Sequence, residues 1–533
     1  MENPKTPLPE RQWSIVALGA LGVATVVLSY VLAIVLAIVC LLLPVPLLLD
    51  FGLGDFNLIA VRVLLSAFGI AAGSTICWSL VPRKHKVQVN GVLIDVAKEK
   101  RLVDEIESIA AALDEPMPTE VYLIGDANAY VVEEGRFFGS RRRIIALGLP
   151  LLQMLSIAQF RAVLAHEFAH YYAGDTRLGP WVYNARTAIL RVYENLGRKS
   201  EVIRFLRRWA VVSIAFSGLM AAMRAYWTCF MRVTQWISRR QEYRCDELAC
   251  YVAGSRSLAD GLAGINRCSA ALNAYWNSVV LPVAVNGFQP PLASGFMQFM
   301  DAPAISKATD EYMAKMNEEK PSPLDTHPPM RLRIERANSY GRQAPGLKDA
   351  AVDLSSPMVS LIDDLSSLEA ALLKKLLPNL ANTPLKTTSW ETAAIDVFVP
   401  AWKKRVAPHQ SVLSSTAITG LHWLASFPDR ISRDIPNPPG NVLNQAQRDG
   451  MAIDVLRCAL ALCLIENGWT LVSRPGVFYF ENGSHRLVPG EVVPAMRTGK
   501  LSAGEWQAMC SEKGLCDWPL LKATASDLVP AES

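Results

Sequence analysis

The sequence predicts an α+β protein that is mainly helical, with a small β-sheet, an N-terminal transmembrane helical hairpin and a mostly helical C-terminal region. Three features predict this class: a long uncharged run near the N-terminus, short strand patterns between helical ones after residue 86, and leucine-rich helical patterns after residue 350. Of the 533 residues, 51% are hydrophobic, more than a soluble enzyme of this length usually needs. The net charge of +4 is too small to indicate a broad nucleic-acid surface.

The first 86 residues are expected to form the membrane anchor. No charged residue occurs from Ser14 to Leu49, and one spanning helix needs roughly 20 residues. A second apolar stretch runs from Val63 to Val81. Lysine and arginine flank the pair on both outer sides, which predicts a hairpin with both ends in the cytoplasm. An alternative stays open, in which the first run doubles back near Pro44 and Pro46 and adds a crossing.

Ten cysteines are scattered without paired spacing. Neither a disulfide framework nor a cysteine-type zinc site follows, and free thiols in a reducing compartment are the simpler interpretation.

After residue 86 the pattern becomes that of a folded domain. Helical periodicity covers 93–113, and the segments "EVYLIG" and "RRIIALG" are typical of strands on either side of a turn-rich region. Ser156 with Gln159 three residues later forms a capping-box signature, and Gly174 suits a helix end. A helix over 157–173 is therefore predicted.

That helix carries "HEFAH", in which His166 and His170 are four residues apart and Glu167 follows the first. Two imidazoles on one helical face can bind the same cation. Catalytic zinc needs such a pair, a third protein ligand, an open position for water and a carboxylate to accept the proton of that water. A solvated helix face with the same residues is the alternative.

A third ligand is expected on another helix. In "SRRQEYRCDELAC", residues 238–250, Glu242 and Asp246 are four apart and share a face. Glu242 can complete the site, and Asp246 can accept the free ring N–H of a histidine ligand. Taken alone, the segment also fits an exposed helix whose arginines pair with these acids.

Four blocks in order carry a family resemblance: "DANAY" (126–130), "HEFAHYYAGD" (166–175), "SRRQEYRCD" (238–246) and "THPPMRLRI" (326–334). Over about residues 87–345 the chain resembles the integral-membrane zinc endopeptidases of the HtpX and CAAX-prenyl-protease type, metallopeptidase family forty-eight. Cys245 stands where that family usually has alanine. The resemblance implies a zincin-like, gluzincin-type catalytic domain.

The resemblance also implies roles for single residues. The zinc ligands would be His166, His170 and Glu242, holding one Zn²⁺ per chain, with Glu167 as the general base. The remaining assignments are His327 facing the oxyanion, Arg333 and Asp175 supporting the site with Asp246, and Asn128 and Ala129 holding an extended substrate by strand addition. His327 could instead be a loop histidine satisfied by backbone groups.

We therefore expect an anchor at 1–86, a zinc metallopeptidase domain at 87–345 and a C-terminal region at 346–533. The predicted function is that of an endopeptidase of membrane or misfolded proteins, in a bacterial inner membrane with the catalytic domain in the cytoplasm. Its expected partners are a polypeptide substrate and the lipid bilayer, without nucleic acid. A CAAX-type processing protease and a non-catalytic scaffold are the alternatives.

A further apolar stretch, 209–223, lies between His170 and Glu242. Ligands of one ion must lie on one side of the membrane, so the chain between them can cross only an even number of times. With one uncharged run of 15 residues in this interval, the stretch is expected to be buried against the catalytic domain or to lie on the membrane without spanning it.

The C-terminal region shows helical patterns at 350–378, 411–426 and 447–466. A hairpin is predicted in "GWTLVSRPGVFYFENG" and a last helix in "SAGEWQAMC". No repeat period is present in this region.

Overall fold

The computed structural model describes residues 13–49, 56–81, 88–134, 142–172, 175–199, 201–206, 208–318, 327–343, 355–380, 383–437, 442–516 and 518–522. The described chain is mostly helical with small sheets and begins with apolar helices, which confirms the coarse fold class.

The N-terminal helices are α1 (Trp13–Leu42), α2 (Pro44–Leu49) and α3 (Phe56–Leu80). Glycines on α3 allow close packing on α1, because a Cβ at Gly73 would lie 2.9 Å from the carbonyl oxygen of Ala37, and one at Gly69 would lie 2.6 Å from that of Cys40. These pairs run in opposite directions along the chain, so α1 and α3 are antiparallel. With six residues, α2 is about 9 Å long and too short for an added crossing.

The small sheet follows, built from β1 (Gly91–Leu93), β2 (Glu120–Ile124), β3 (Ala129–Glu134) and β4 (Arg142–Gly148), with α4 (Lys100–Ala112) after β1. The strand order is β1-β2-β4-β3, with β2 and β4 parallel and the other pairs antiparallel. Both predicted strands form, and β3 adds an edge strand within the turn-rich region.

The helix predicted over 93–113 begins only at Lys100. Asp95 explains the delay, because its carboxylate accepts the backbone N–H of Ala97 at 3.1 Å and its carbonyl accepts those of Lys98 and Glu99. Such local bonds offer the backbone an alternative to the helix.

After the sheet come α5 (Leu149–Met154), α6 (Ile157–Tyr172), α7 (Asp175–Glu194), a π-helical turn at 195–199, α8 (Glu201–Leu206) and α9 (Ala210–Ala253). The capping box of α6 is present: the Ser156 backbone donates to Gln159 Oε1 at 2.9 Å, and the Gln159 backbone donates to Ser156 Oγ at 3.2 Å. Gly174 lies outside the described residues.

Residues 209–223 depart from expectation. They open the 44-residue helix α9, and Val212, Phe216 and Met220 share an apolar core with buried side chains of α1, α3 and α7. Among the described residues, three helices have the length and composition to cross a membrane: Ala20–Leu47, Phe56–Leu80 and Ala210–Ala253. The stretch therefore packs on the other apolar helices, which departs from the expected burial against the catalytic domain. Its helix is long and apolar enough to cross a membrane, and whether it spans the bilayer stays a prediction.

The remaining helices and strands are α10 (Ser255–Tyr275), α11 (Leu281–Ala284), β5 (Phe288–Gln289), α12 (Leu292–Asp301), α13 (Pro303–Glu318), α14 (Met330–Gln343), α15 (Leu365–Leu376), β6 (Lys386–Thr387), α16 (Val399–Val406), α17 (Gln410–Ser414), α18 (Leu421–Ser426), α19 (Asp429–Ser432), α20 (Gln445–Glu466), β7 (Thr470–Arg474), β8 (Val477–Asn482), β9 (His485–Leu487), α21 (Pro489–Arg497) and α22 (Ala503–Glu512). The predicted hairpin is β7–β8, with Gly476 at φ 76° in its turn. The predicted last helix is α22, which begins with a Ser502–Glu505 capping box.

The chain divides into two compact units. The first comprises residues 1–266 and 313–364, with the membrane helices, the four-stranded sheet, α6 and α9. The second comprises 267–312 and 365–533 and has its own apolar core around α20. The three-part division at residues 86 and 345 remains a prediction.

Candidate metal centre

Helices α6 and α9 pack side by side and bring together three side chains that could hold a metal ion. His166 and His170 lie on α6 and Glu242 on α9, and one ligand atom from each lies within 4.8 Å of the others. Glu242 Oε2 is 3.5 Å from His166 Nε2, and Glu242 Oε1 is 3.7 Å from His170 Nε2. Both imidazoles thus present Nε2 to the same carboxylate.

The chemistry of this group fits a divalent cation. Glu242 is 3% exposed, and its Oε2 accepts no hydrogen bond from the residues that the structure describes. A buried carboxylate oxygen without a donor is costly, and a bound cation would remove that cost. Two imidazole nitrogens and one carboxylate oxygen are a ligand set of catalytic zinc sites.

Asp246 and Arg333 lie beside the first histidine. Asp246 is 0% exposed, and its Oδ1 lies 3.1 Å from His166 Nδ1. Arg333, at the start of α14, donates to both oxygens of Asp246, through Nε at 2.9 Å and Nη2 at 2.6 Å. Its Nη1 is also 3.3 Å from Glu242 Oε2. The guanidinium therefore holds Asp246 where Asp246 can orient His166.

Opposing influences set the pKa of His166. Burial and the charge of Arg333 oppose the charged ring, but the hydrogen bond to Asp246 and the negative charge of the nearby Glu242 together outweigh them and raise the pKa of His166 to about 9. A metal ligand must be the neutral imidazole, so metal binding at neutral pH has to displace this proton.

His327 lies beside the same carboxylate. Its Nδ1 is 3.0 Å from Glu242 Oε1, and this hydrogen bond raises the pKa of His327. The side chain is 64% exposed, so it stands at the open side of the group. The structure gives it a carboxylate partner, unlike a loop histidine that bonds only to backbone groups.

The other predicted site residues lie on α6, α7 and β3. Glu167 is half-buried on α6 between the two histidines. Asp175 is the first residue of α7, and its side chain lies outside the described part of the chain.

The structure places Ala129 at the first position of β3, the edge strand, and Asn128 directly before it. The side chain of Asn128 accepts the backbone N–H of Ala129 at 2.9 Å. A Cβ at Gly148 would lie 2.2 Å from the carbonyl oxygen of Asp126, so only glycine lets the chain before β3 pass this close to the end of β4.

Sequence reasoning missed two supporting side chains. Arg143 on β4 is buried and pairs with Glu115 at 2.9 Å and with Glu133 on β3 at 3.1 Å, and its guanidinium lies 4.3 Å from the ring centre of Tyr171. It therefore ties the edge strand to the helix that carries the histidines. Cys245 is the second, with Sγ 3.4 Å from His170 Nδ1. Its place on the helix between Glu242 and Asp246 was the available signal.

A known protein family matches the part of the chain that contains the clustered side chains. Residues 96–340 match the model of peptidase family M48, and this range contains the clustered His166, His170 and Glu242 together with Asp246, His327 and Arg333. The resemblance to peptidase family M48 is confirmed.

Two curated relatives are each named Protease HtpX. The one from Pseudomonas putida (strain GB-1) is 24% identical over 247 residues, which cover 44% of this chain and 79% of the relative. The one from Xylella fastidiosa (strain M12) is 27% identical over 181 residues, which cover 33% and 61%. The crystal structure of S. mikatae Ste24p covers 61% of this chain and 66% of its own at 15% identity, with a TM-score of 0.24, which is too low to establish a shared fold.

Proposed function

We propose that this protein is a membrane-anchored, zinc-dependent endopeptidase whose catalytic centre faces the cytoplasm of a bacterial cell. The buried Glu242 oxygen, which lacks a hydrogen-bond donor among the described residues and lies next to two Nε2 atoms, carries this proposal. The M48 match supports a protease. The zincin-like architecture of the catalytic domain is part of the same proposal.

His166, His170 and Glu242 would hold the zinc ion. When bound, the ion supplies Lewis-acid chemistry that makes water nucleophilic near neutral pH. Glu167 accepts the proton of the attacking water and passes it to the leaving amine. His327, exposed beside Glu242, donates a hydrogen bond to the oxygen that becomes negative at the cleaved carbonyl.

The edge of β3 would bind the substrate backbone. In the described sheet β3 pairs with β4 on one side only, so its other edge can accept an extended peptide by strand addition. Ala129 is the first residue of this edge, and Asn128 directly precedes it. Arg143 keeps the strand at a fixed distance from α6 through Glu133 and Tyr171.

The expected substrates are membrane or misfolded proteins of the bacterial inner membrane. Processing of prenylated C-terminal peptides is the second enzymatic candidate, by resemblance only, and such enzymes usually have many more spanning helices than the three apolar candidates described here. A non-catalytic scaffold has no need of Glu167 beside an intact ligand group.

Two substitutions distinguish base from ligand. Glu167→Gln preserves the shape but removes the proton acceptor, so one zinc per chain should remain while peptide hydrolysis falls on the order of 10² to 10⁴-fold. Glu242→Gln replaces an anionic ligand with a weaker neutral one, so zinc content and hydrolysis should both fall. Zinc is measured by elemental analysis of the purified full chain in detergent.

Glu247→Gln is the matched control, because Glu247 lies on α9 but pairs with Arg244 and not with the ligand group. It should retain zinc and activity. Unchanged zinc in Glu242→Gln would place the third ligand elsewhere. A wild-type chain that binds no zinc would overturn the proposed function in favour of a scaffold.

A further inference from the structure

Each histidine of the metal group has a contact at its Nδ1 atom from one of two consecutive residues of α9. Asp246 Oδ1 is 3.1 Å from His166 Nδ1, and Cys245 Sγ is 3.4 Å from His170 Nδ1. Cys245 is 0% exposed, so solvent does not compete with this contact. The two residues follow Glu242 by three and four positions, which places them over the turn that carries the third ligand.

The tautomer of His170 determines which nitrogen can bind a cation. A neutral imidazole has one N–H and one lone pair, and the partner of one nitrogen fixes the role of the other. His170 Nε2 faces Glu242 Oε1 at 3.7 Å, so metal binding requires the proton to be on Nδ1. Sulfur is a weak hydrogen-bond acceptor, and Cys245 Sγ lies 3.4 Å from His170 Nδ1.

We propose that Cys245 is a positioning residue, whose thiol sulfur accepts the Nδ1 hydrogen bond of His170 and holds the His170 lone pair on Nε2 toward the metal site. This inference rests on the proposed zinc centre. The presence of a cation is supported independently of Cys245, by the buried Glu242 oxygen that lacks a hydrogen-bond donor among the described residues. Helix α9 thereby supplies one ligand and orients the other two.

The test compares Cys245→Ala and Cys245→Ser with the wild-type full chain in detergent. Loss of a partner behind a histidine ligand typically costs 10 to 100-fold in metal affinity, and a weak sulfur acceptor corresponds to the lower end. Cys245→Ala should therefore weaken zinc binding about tenfold, measured by competition with a chelator. Cys245→Ser keeps a hydrogen-bond acceptor and should restore most of the affinity.

A spectroscopic readout separates positioning from loss of packing. With Co²⁺ in place of zinc, a rotated His170 changes the ligand field, so the visible absorption bands of Cys245→Ala should shift and those of Cys245→Ser should match the wild type. Cys250→Ala is the matched control, because Cys250 is an equally buried cysteine on α9 outside the ligand group. It should leave affinity and spectrum unchanged.

Each outcome decides between the two proposals. If wild type binds one zinc per chain and Cys245→Ala has the same affinity and the same cobalt spectrum, the positioning role is wrong while the zinc centre stands. If all four proteins fail to bind zinc, the proposed function fails first. Equal losses in Cys245→Ala and Cys250→Ala would assign the effect to packing and also overturn the inference.

Discussion

Removing the buried guanidinium of Arg333 should destabilise the metal-free protein far more than removing an exposed one from the same helix. Arg333 is 5% exposed and donates to both oxygens of Asp246, which is 0% exposed, while Nη1 lies 3.3 Å from Glu242 Oε2. Arg333→Met leaves two buried carboxylates without this cation. Breaking a buried pair by removing one partner costs about 3–5 kcal/mol.

The control is Arg331→Met, two residues earlier on α14. Arg331 pairs with Glu335 at 3.0 Å, but both side chains are 55% exposed, and exposed pairs contribute about 0–1 kcal/mol. For a domain of this size, each kcal/mol lost from the free energy of unfolding lowers the melting temperature by roughly 2–4 °C. Arg333→Met should therefore lower the melting temperature by about 6–20 °C. Arg331→Met should lower it by less than about 4 °C.

The assay is thermal unfolding of the purified chain in detergent with a chelator present, followed by intrinsic fluorescence. Zinc must be absent, because a bound cation would stabilise the same carboxylates and mask the effect. Similar melting temperatures for the two variants would refute the view that Arg333 neutralises buried charge at this site.

Two further predictions concern protons and lipid. Because the pKa of His166 is raised to about 9 in the metal-free protein, its protonated form stabilises the fold below pH 6.5, and this contribution is lost as the pH rises through 9. Zinc affinity should therefore rise with pH across this window, with release of a proton that calorimetry in two buffers detects, and a flat profile would contradict it. Cys77 on α3 and Cys229 on α9 are exposed on the protein surface. In intact membranes a lipid-soluble maleimide should label both cysteines, and a charged maleimide should label neither. Labelling of Cys229 by the charged maleimide would place that part of α9 outside the bilayer.

The residue pairs that form the clustered group could be predicted from the sequence, because the spacing within each pair is local. His166 and His170 are one turn apart on a helix whose start is encoded by Ser156 and Gln159, and that capping box is present. Glu242 and Asp246 repeat the same one-turn spacing on α9. Helical periodicity fixes the relative direction of such side chains before any tertiary contact is known.

The contacts that support the group could not be predicted, because they join distant parts of the chain. Arg143 and Tyr171 meet only when β4 packs near α6, and nothing in the sequence near either residue indicates the other. Cys245 looked like a conservative replacement of a small side chain. Its effect depends on the rotation of α9 relative to α6, which places Sγ against His170.

The surroundings of residues 209–223 depend on α7. This helix, Asp175–Glu194, buries Ala185, Ile189 and Val192 in the apolar core shared with α1, α3 and α9, while Arg186 and Glu194 keep its overall composition polar. The mean hydropathy of the whole helix conceals a buried face of this kind. The spacing of its buried residues, four and then three positions apart, shows it. With α7 counted, the chain leaves His170 along one helix of the apolar bundle and returns to Glu242 along another. α7 is not among the three described helices that are apolar enough to cross a membrane. A spanning α9 therefore keeps His170 and Glu242 on one side only if α7 crosses with it inside this shared core.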